Sequence, residues 1–356
     1  MFHLINRGLI LVLLASLVQG CASMTIGSPA PVLDQLQVYY ATDRNPQKTD
    51  SPGVDYGSQR DNRIHYGIAT VDTWPIDYEE VGANGKARRI TSKTIDTAFS
   101  KATELGKQSF FERLREAEDA GNHGAVMLFV HGFKRNFRAA AENAALISAS
   151  IGFRGATMFW SWPSLDSPAG YLTDRTTLQW SQKHLARFLT ELVQEGQLQR
   201  LVLVAHSLGA QALTQALFEE IGAEQLAKWQ VIDKLVLMAP DIDLGIFRRD
   251  IVPAINRVGI PTTVYASATD WALITSSSLN GYPRAGDSSN GVYTFPGIDT
   301  IDATLVKQSF LGHSYYRRSF AVIDDLQHMI VAEQPVEQRP GLVRREKGNQ
   351  MYWKFK

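Results

Sequence analysis

The sequence predicts an α/β fold in which a mostly parallel sheet is covered by helices on both faces. Short apolar runs, each long enough for one buried strand, alternate with longer segments of helical periodicity. Strands covered on both faces bury both of their sides, so they read as continuous apolar runs. The predicted strands of this regular block are 126–130, 156–160, 201–205, 234–239 and 262–266, and its helices are 139–150, 173–195, 208–221 and 244–258.

Less regular segments flank this block. The elements predicted before it are strands at 36–40 and 64–71, an irregular segment at 74–94 and a helix at 100–120; those after it are a weak strand at 298–304 and a helix at 314–330. Because a turn-prone stretch at 42–46 follows the first strand, we expect that strand to end there. No second alternating block and no internal repeat is visible, so one folded domain is expected.

Composition argues against one class of partner. The chain has 356 residues, and its 36 Lys and Arg residues balance its 36 Asp and Glu residues. A nucleic-acid-binding protein would show a basic excess along some stretch, and the body of this chain has none. No nucleic-acid partner is therefore expected.

The first 21 residues predict export. An apolar run of about ten residues, 9–18, is too short to cross a hydrocarbon core of roughly 30 Å, but it is typical of a secretory signal. It leads to Val18-Gln-Gly-Cys21, which resembles the lipobox of bacterial lipoproteins, where the cysteine carries the lipid; Gln19 departs from the usual small residue. Cys21 is the only cysteine, so it cannot form an internal disulfide. A plain cleaved signal and an uncleaved short anchor are the alternatives.

These observations predict four segments. Residues 1–21 form a lipoprotein signal with lipidation at Cys21, 22–34 a linker, 35–332 the folded domain and 333–356 a basic C-terminal tail. We expect a solvated, partly ordered tail, and contact with anionic lipid headgroups is the alternative. The expected location is the bacterial cell envelope, with the domain held on the membrane by its lipid anchor and facing the periplasm or the exterior.

Ser207 is the candidate nucleophile. It lies in Ala205-His-Ser-Leu-Gly209, between a predicted strand and a predicted helix. A serine on such a sharp turn needs small residues two positions away on either side, and Ala205 stands where glycine is usual. The alternative role is a helix cap.

Acyl transfer also needs hydrogen-bond donors for the developing oxyanion. We assign them to the backbone N–H of Leu208, directly after the candidate nucleophile, and to that of Phe133 in the loop after an earlier strand. Gly132 permits a close approach of this loop. His131 precedes the serine in the chain, and we interpret it as a structural residue that supports the loop.

The base and the acid are assigned by chain order, since folds with this turn place serine, acid and histidine in that sequence. His313, on a late loop after Gly312, is the predicted base; an exposed residue at a helix start is the alternative. Asp270, after the strand 262–266, is the predicted acid. Asp241 and Asp243 are the alternative acids, although each of the three aspartates could instead cap a helix.

Seven short motifs of the chain together resemble those of a known family. The motifs that carry the resemblance are Tyr39-Tyr-Ala-Thr-Asp-Arg44, Phe129-Val-His-Gly-Phe133, Phe159-Trp-Ser-Trp-Pro163, Ala205-His-Ser-Leu-Gly209, Ala239-Pro-Asp-Ile-Asp243, Tyr282-Pro-Arg-Ala-Gly-Asp287 and Leu311-Gly-His-Ser-Tyr315. Together they are similar to a bacterial α/β-hydrolase family of unknown function, esterase- or lipase-like, over about residues 36–330. The resemblance implies an α/β-hydrolase fold with a Ser-Asp-His triad, and it implies no substrate.

The expected activity is hydrolysis of a carboxylic ester, or of another acyl compound, through an acyl-enzyme. The expected substrate is a small or lipid-like acyl molecule. A non-catalytic envelope-binding lipoprotein, a serine peptidase and a thioesterase remain alternatives. Neither metal-ligand spacing nor a phosphate-binding glycine loop is present in the sequence, so no metal and no cofactor is expected.

Overall fold

A computed structural model describes residues 34–49, 53–75, 78–81, 87–90, 95–117, 124–306, 319–348 and 350–356. The signal segment, Cys21, most of the 22–34 linker and His313 lie outside the described residues. The predictions made for them therefore stay predictions. Residues 33–356 form one compact unit.

Within the described residues, eleven strands form one sheet. From edge to edge they are β12 (Leu342–Lys347), β13 (Gln350–Phe355), β11 (Asp299–Asp302), β10 (Thr262–Ala266), β9 (Ile232–Met238), β8 (Arg200–His206), β6 (Ala125–Val130), β7 (Ala156–Ser161), β1 (Asp34–Gln47), β2 (Asp55–Pro75) and β5 (Ile95–Leu105). The strands from β13 to β1 are parallel, and β12, β2 and β5 are antiparallel to their neighbours. Two further strands, β3 (Tyr78–Val81) and β4 (Ala87–Ile90), pair only with each other.

Helices cover both faces of the sheet. The described ones are α1 (Lys107–Ala117), α2 (Phe137–Ile151), α3 (Tyr171–Glu195), α4 (Leu208–Gln215), α5 (Ala223–Leu226), α6 (Leu244–Ile246), α7 (Val252–Val258), α8 (Trp271–Asn280) and α9 (Phe320–Leu326). Short π-helical stretches extend α4 and α9 and join α6 to α7. None of the described helices is both long and apolar enough to cross a membrane.

Strand β8 shows why the sheet is buried on both sides. Leu201, Leu203 and Ala205 belong to one hydrophobic cluster, and Val202 and Val204 belong to the cluster on the opposite face. Successive side chains of a strand point to opposite faces, so every residue of this run is needed to fill one core or the other. The predicted fold class, a mostly parallel sheet with helices on both faces, is confirmed, and the strands and helices of the regular block lie within two residues of their predicted ends.

Three predictions outside this block are wrong. The predicted helix 100–120 begins only at Lys107, because the residues before it pair with β2 as strand β5. The predicted helix 314–330 is not continuous, because the described helix begins at Phe320, where the Ser319 hydroxyl accepts from the Val322 N–H as an N-cap; residues 314–318 lie outside the described residues. Strand β1 continues through the predicted turn at 42–46, with register shifts on either side of Arg44.

The predicted C-terminal tail is also wrong. Strands β12 and β13 form a hairpin, and β13 adds to the main sheet beside β11. Trp353 and Phe355, two positions apart on β13, are buried in the core, while the basic Arg344 and Arg345 of β12 are exposed. The folded unit therefore extends through the segment 333–356.

Candidate active site

Ser207 occupies the turn between β8 and α4. Its backbone has φ 56° and ψ −125°, a conformation that costs a residue with a side chain about 1–3 kcal/mol. The turn is held from both sides, because the Ser207 N–H donates to Met238 O at 3.0 Å and the Ser207 carbonyl accepts from the Asp241 N–H at 3.2 Å. Although Ser207 stands at the N-cap position of α4, its side chain makes no capping hydrogen bond. The geometry is thus the predicted sharp strand-to-helix turn.

Small residues allow the chain to pass this close to the serine. A Cβ atom on Gly209 would lie 2.4 Å from the carbonyl oxygen of His131, and one on Gly132 would lie 2.8 Å from the Ser207 Cβ. Real Cβ atoms do not make such contacts, so larger residues would push the loop after β6 away from the turn. Ala205 is fully buried and fits without glycine.

The two predicted oxyanion donors flank Ser207. Leu208 is the first residue of α4, and its N–H is one of those that a helix start leaves without an intrahelical acceptor. Phe133 follows Gly132, the residue packed on the Ser207 Cβ. Within the described part of the chain, neither the Leu208 N–H nor the Phe133 N–H has a hydrogen-bond acceptor. Both donors are available for a bound anion.

Asp270 follows β10 and is completely buried. Its Oδ1 accepts from the Leu273 N–H at 3.1 Å and so caps α8. This is the structural role that the sequence also allowed for Asp270. The predicted base, His313, lies outside the described residues, so a contact between the two stays a prediction.

Asp241 is held in a buried polar cluster. Its Oδ1 accepts from the Ser276 hydroxyl at 2.6 Å and lies 3.1 Å from Arg284 Nε, and its Oδ2 accepts from the Tyr171 hydroxyl at 2.9 Å. Burial and the Asp241 charge raise the pKa of Tyr171, which keeps this hydroxyl protonated as a donor. The Tyr171 ring packs edge-on against that of Phe133, with centroids 5.4 Å apart. Asp241 therefore ties together the segments beside the oxyanion loop.

Asp243, the other alternative acid, caps α6. Its Oδ1 accepts from the Ile246 N–H at 3.0 Å. This is the helix-capping role that the sequence allowed for it. Among the described residues, Asp241 forms an ion pair with a buried arginine, Arg284, whereas Asp243 and Asp270 act as helix caps.

His131 directly follows β6, is fully buried and contacts the loop that begins there. Its Nδ1 lies 2.8 Å from Gly132 O, and its ring stacks on the Trp162 ring with centroids 5.2 Å apart. The indole N–H of Trp162 donates to His131 O at 2.8 Å. Burial, together with the charges of Arg44 and Arg135, lowers the pKa of His131 well below its ordinary value, so the ring is neutral.

Arg44 is the residue of this region that the sequence did not identify. It is fully buried near the end of β1. Its Nε donates to the Ser161 hydroxyl at 2.8 Å, one terminal nitrogen donates to the carbonyls of Gly57 and Ser164, and the other donates to Arg135 O at 2.6 Å. Burial lowers its pKa to about 10, which still leaves the guanidinium charged at neutral pH.

No group of three or more His, Cys, Asp or Glu side chains among the described residues could hold a metal ion. The expectation that the protein needs no metal or cofactor stays a prediction.

The fold and the strained serine turn define a class: a doubly covered, mostly parallel α/β sheet with a polar site at the carboxyl ends of its strands. The family match agrees with this class. The chain belongs to the family described as alpha/beta hydrolase of unknown function (DUF900), whose model matches residues 106–332. A comparison with curated proteins finds no significant match.

A comparison with solved structures finds several that are similar to this chain. A predicted CIB-like hydrolase from Thermoplasma acidophilum is 14% identical over 72% of this chain and 97% of its own, with a TM-score of 0.33. A lipase-esterase related protein from Clostridium acetobutylicum is 11% identical over 54% and 88%, with a TM-score of 0.30. Phospholipase PlaB from Legionella pneumophila is 10% identical over 65% and 67%, with a TM-score of 0.31. At such identities and scores, these likenesses carry no information about the substrate.

Proposed function

We propose that the protein is a serine hydrolase that cleaves carboxylic esters through a covalent acyl-enzyme. In this mechanism Ser207 Oγ attacks the ester carbonyl while His313 takes its proton. The N–H groups of Leu208 and Phe133 stabilise the oxyanion of the tetrahedral intermediate. The same histidine then gives its proton to the leaving alcohol, and water attacks the acyl-enzyme in a second round of the same chemistry.

Asp270 is the third member of the proposed triad. Its task is to accept the imidazole N–H, fix the tautomer of His313 and stabilise the imidazolium that forms. A carboxylate that is buried and already anchored through Oδ1 to the start of α8 is rigidly positioned for this task. Asp241 is less suited, because both of its oxygens are engaged by Tyr171, Ser276 and Arg284.

The observation that carries the proposal is the backbone of Ser207. Ser207 is a non-glycine residue with a positive φ, and such backbone strain is concentrated at functional sites. A serine on this turn, next to two backbone N–H groups, supports the proposal, because acyl transfer needs a nucleophile and donors for the oxyanion. A peptide or thioester carbonyl would meet the same groups, so the ester is our first choice and these are its competitors.

A fluorophosphonate probe tests the proposal. We expect the purified domain to be labelled on Ser207 and to hydrolyse short p-nitrophenyl esters, and we expect Ser207→Ala to lose both properties while it remains folded. Full esterase activity in Ser207→Ala would exclude the mechanism. An unlabelled, inactive wild-type protein would favour the alternative of a non-catalytic envelope-binding protein.

The pH profile gives a second test. Because the base must be neutral to accept the serine proton, kcat/KM should fall as the pH drops below roughly 6–7. His131 is not expected to produce this acid limb, since burial and the charges of Arg44 and Arg135 hold its pKa well below the ordinary histidine value. A profile that stays flat down to pH 4 would argue against a histidine base.

We also propose that the protein is a lipoprotein of the bacterial cell envelope, anchored through Cys21 and facing the periplasm or the exterior. The support is the signal-like segment 1–21 and its Val-Gln-Gly-Cys ending. An acyl substrate of lipid-like character fits this location, although short esters would meet the same catalytic groups.

A further inference from the structure

Two of the sequence motifs have no role in the triad, and both converge on His131. One ends at Arg44 on β1, and the other contains Ser161 and Trp162 at the end of β7. Together with His131, these residues form a chain of hydrogen bonds that is buried from solvent. The donor and acceptor in each of these hydrogen bonds follow from the chemistry of the atoms involved.

Arg44 can only donate hydrogen bonds, so its Nε–H donates to Ser161 Oγ at 2.8 Å. The Ser161 hydroxyl keeps its own proton, and His131 Nε2 lies 3.3 Å from that oxygen. A terminal N–H of Arg44 also points to His131 Nε2, at 3.5 Å. Both groups can donate to Nε2, which accepts from them when the proton of the ring is on Nδ1.

The other ring nitrogen faces an acceptor. His131 Nδ1 lies 2.8 Å from Gly132 O, and a carbonyl oxygen can only accept, so Nδ1 carries the proton. Burial and the neighbouring Arg44 and Arg135 charges keep the ring neutral. The Trp162 ring, stacked at 11° to the His131 ring, fixes the plane in which this N–H points.

The hydrogen bond to Gly132 O has a consequence for Phe133. The Gly132 carbonyl and the Phe133 N–H belong to one trans peptide unit, in which C=O and N–H point in opposite directions. When His131 holds the carbonyl, the N–H is turned away from the His131 ring. Gly132 itself lies against the Ser207 Cβ, so the direction of this peptide decides whether the Phe133 N–H can serve the site.

We propose that His131 is a positioning residue for the oxyanion hole, and that Arg44 and Ser161 select the Nδ1–H tautomer with which it orients the Gly132–Phe133 peptide. This inference rests on the proposed function, because it explains how one of the two oxyanion donors is held. Arg44 adds a second restraint on the same loop through its hydrogen bond to Arg135 O. The family motifs on β1 and after β7 thereby gain a common role.

The test compares three variants in the purified domain. His131→Phe removes the donor to Gly132 O, and it should lower kcat on p-nitrophenyl butyrate by about 10²–10³-fold with little change in KM, as loss of an oxyanion donor does. His131→Asn places an amide N–H near the position of Nδ1, and it should keep kcat within about tenfold of the wild type. His65→Phe is the matched control, because His65 is also buried but lies on β2, in contact with Asp61 and Glu104; its kcat should be unchanged.

Fluorophosphonate labelling separates this inference from the proposed function. A wild-type protein that is neither labelled nor active would overturn both. A labelled wild type whose His131→Phe variant keeps its kcat would overturn only the positioning role, as would a His131→Asn variant no better than His131→Phe.

If the His131 variants do not fold, nitrogen-15 NMR of the wild-type histidine rings decides. We expect a neutral His131 with its proton on Nδ1 in the wild type. The population of this tautomer should fall in Ser161→Ala. A proton on Nε2 in the wild type would overturn it.

Discussion

Three carboxylates follow β9 and β10, and their existing partners distinguish them. Asp270 is buried and uses Oδ1 to cap α8. We predict that Asp270→Asn lowers kcat by up to about 10⁴-fold, since an amide in place of the carboxylate favours the wrong histidine tautomer. KM and the thermal midpoint should change little, because asparagine caps helices nearly as well as aspartate. Steady-state kinetics and thermal denaturation measure the two effects separately.

Asp241 and Asp243 supply the controls. Asp241→Asn leaves the buried Arg284 without its charge partner, so it should destabilise the fold, by as much as about 3–5 kcal/mol, while the folded fraction keeps most of its kcat. Asp243→Asn preserves a helix cap and should be almost silent in both measurements. Near-normal kcat in Asp270→Asn, with a large loss in Asp241→Asn, would move the acid to the earlier strand.

Some residues of the candidate site could be predicted from the local sequence, and others could not. Ser207 and Leu208 could be proposed because a strand, a tight turn and a helix follow one another within a few positions, and the structure has that turn. Phe133 could be proposed from its place in the loop after β6. Arg44 could not, because its contact with Arg135 O spans 91 positions and no local pattern encodes it. The sequence signal for Arg44 was a charged side chain shortly after the apolar residues of the predicted strand 36–40.

At the scale of elements, the C-terminal hairpin offers a direct test of packing. The Phe355 ring on β13 is buried and lies parallel to the Tyr265 ring of β10, with centroids 6.5 Å apart. We predict that Phe355→Ala lowers the free energy of unfolding by about 3–5 kcal/mol, the usual cost of removing a buried aromatic ring. Met351→Ala on the same strand should cost less than about 0.5 kcal/mol, because Met351 is 41% exposed. Urea denaturation of the two variants gives both values. Equal midpoints would show that Phe355 does not contribute to the packing of the folded domain.

Periodicity predicted some elements well and others poorly for a physical reason. The parallel strands are buried on both faces, so their apolar runs stand out from the helices around them. Strand β5 combines Ala, Lys and Glu, residues that favour helices, and its strand conformation comes from pairing with β2. In the hairpin, the charges of Arg344, Arg345 and Lys347 obscure the alternating buried residues of β13. In both cases tertiary pairing outweighed local composition.

At the scale of the whole molecule, the site depends on more of the chain than the family match covers. The match spans residues 106–332, whereas Arg44 lies on β1, before its start. β1 pairs with β7 in parallel, with Thr42 opposite Ser161, which brings Arg44 to the loops that carry His131 and Phe133. A fragment that began at residue 106 would lose β1, β2 and β5 together with this arginine. We therefore regard 33–356 as the unit that any functional assay must use.

The remaining prediction concerns how this unit reaches the membrane. Only a thiol can accept the diacylglyceryl group, so Cys21→Ser in the full chain should abolish lipid attachment. We expect the variant either to stay uncleaved or to be released, and in both cases to lack the added lipid mass in whole-protein mass spectrometry. A released variant would also leave the detergent phase in Triton X-114 partition. Its activity on soluble p-nitrophenyl esters should be unchanged, because Ser207 belongs to the compact unit 33–356.

Two further variants separate lipidation from the other modes of export. Gln19→Ala introduces the small residue that is usual two positions before the lipidated cysteine. This variant should therefore keep the lipid and the membrane partition of the wild type. Ser207→Ala should partition like the wild type, since it alters only the site. A plain cleaved signal predicts that wild type and Cys21→Ser are released alike, and an uncleaved anchor predicts that both stay on the membrane at full-length mass. Either result, with identical masses for wild type and Cys21→Ser, would exclude lipidation at Cys21.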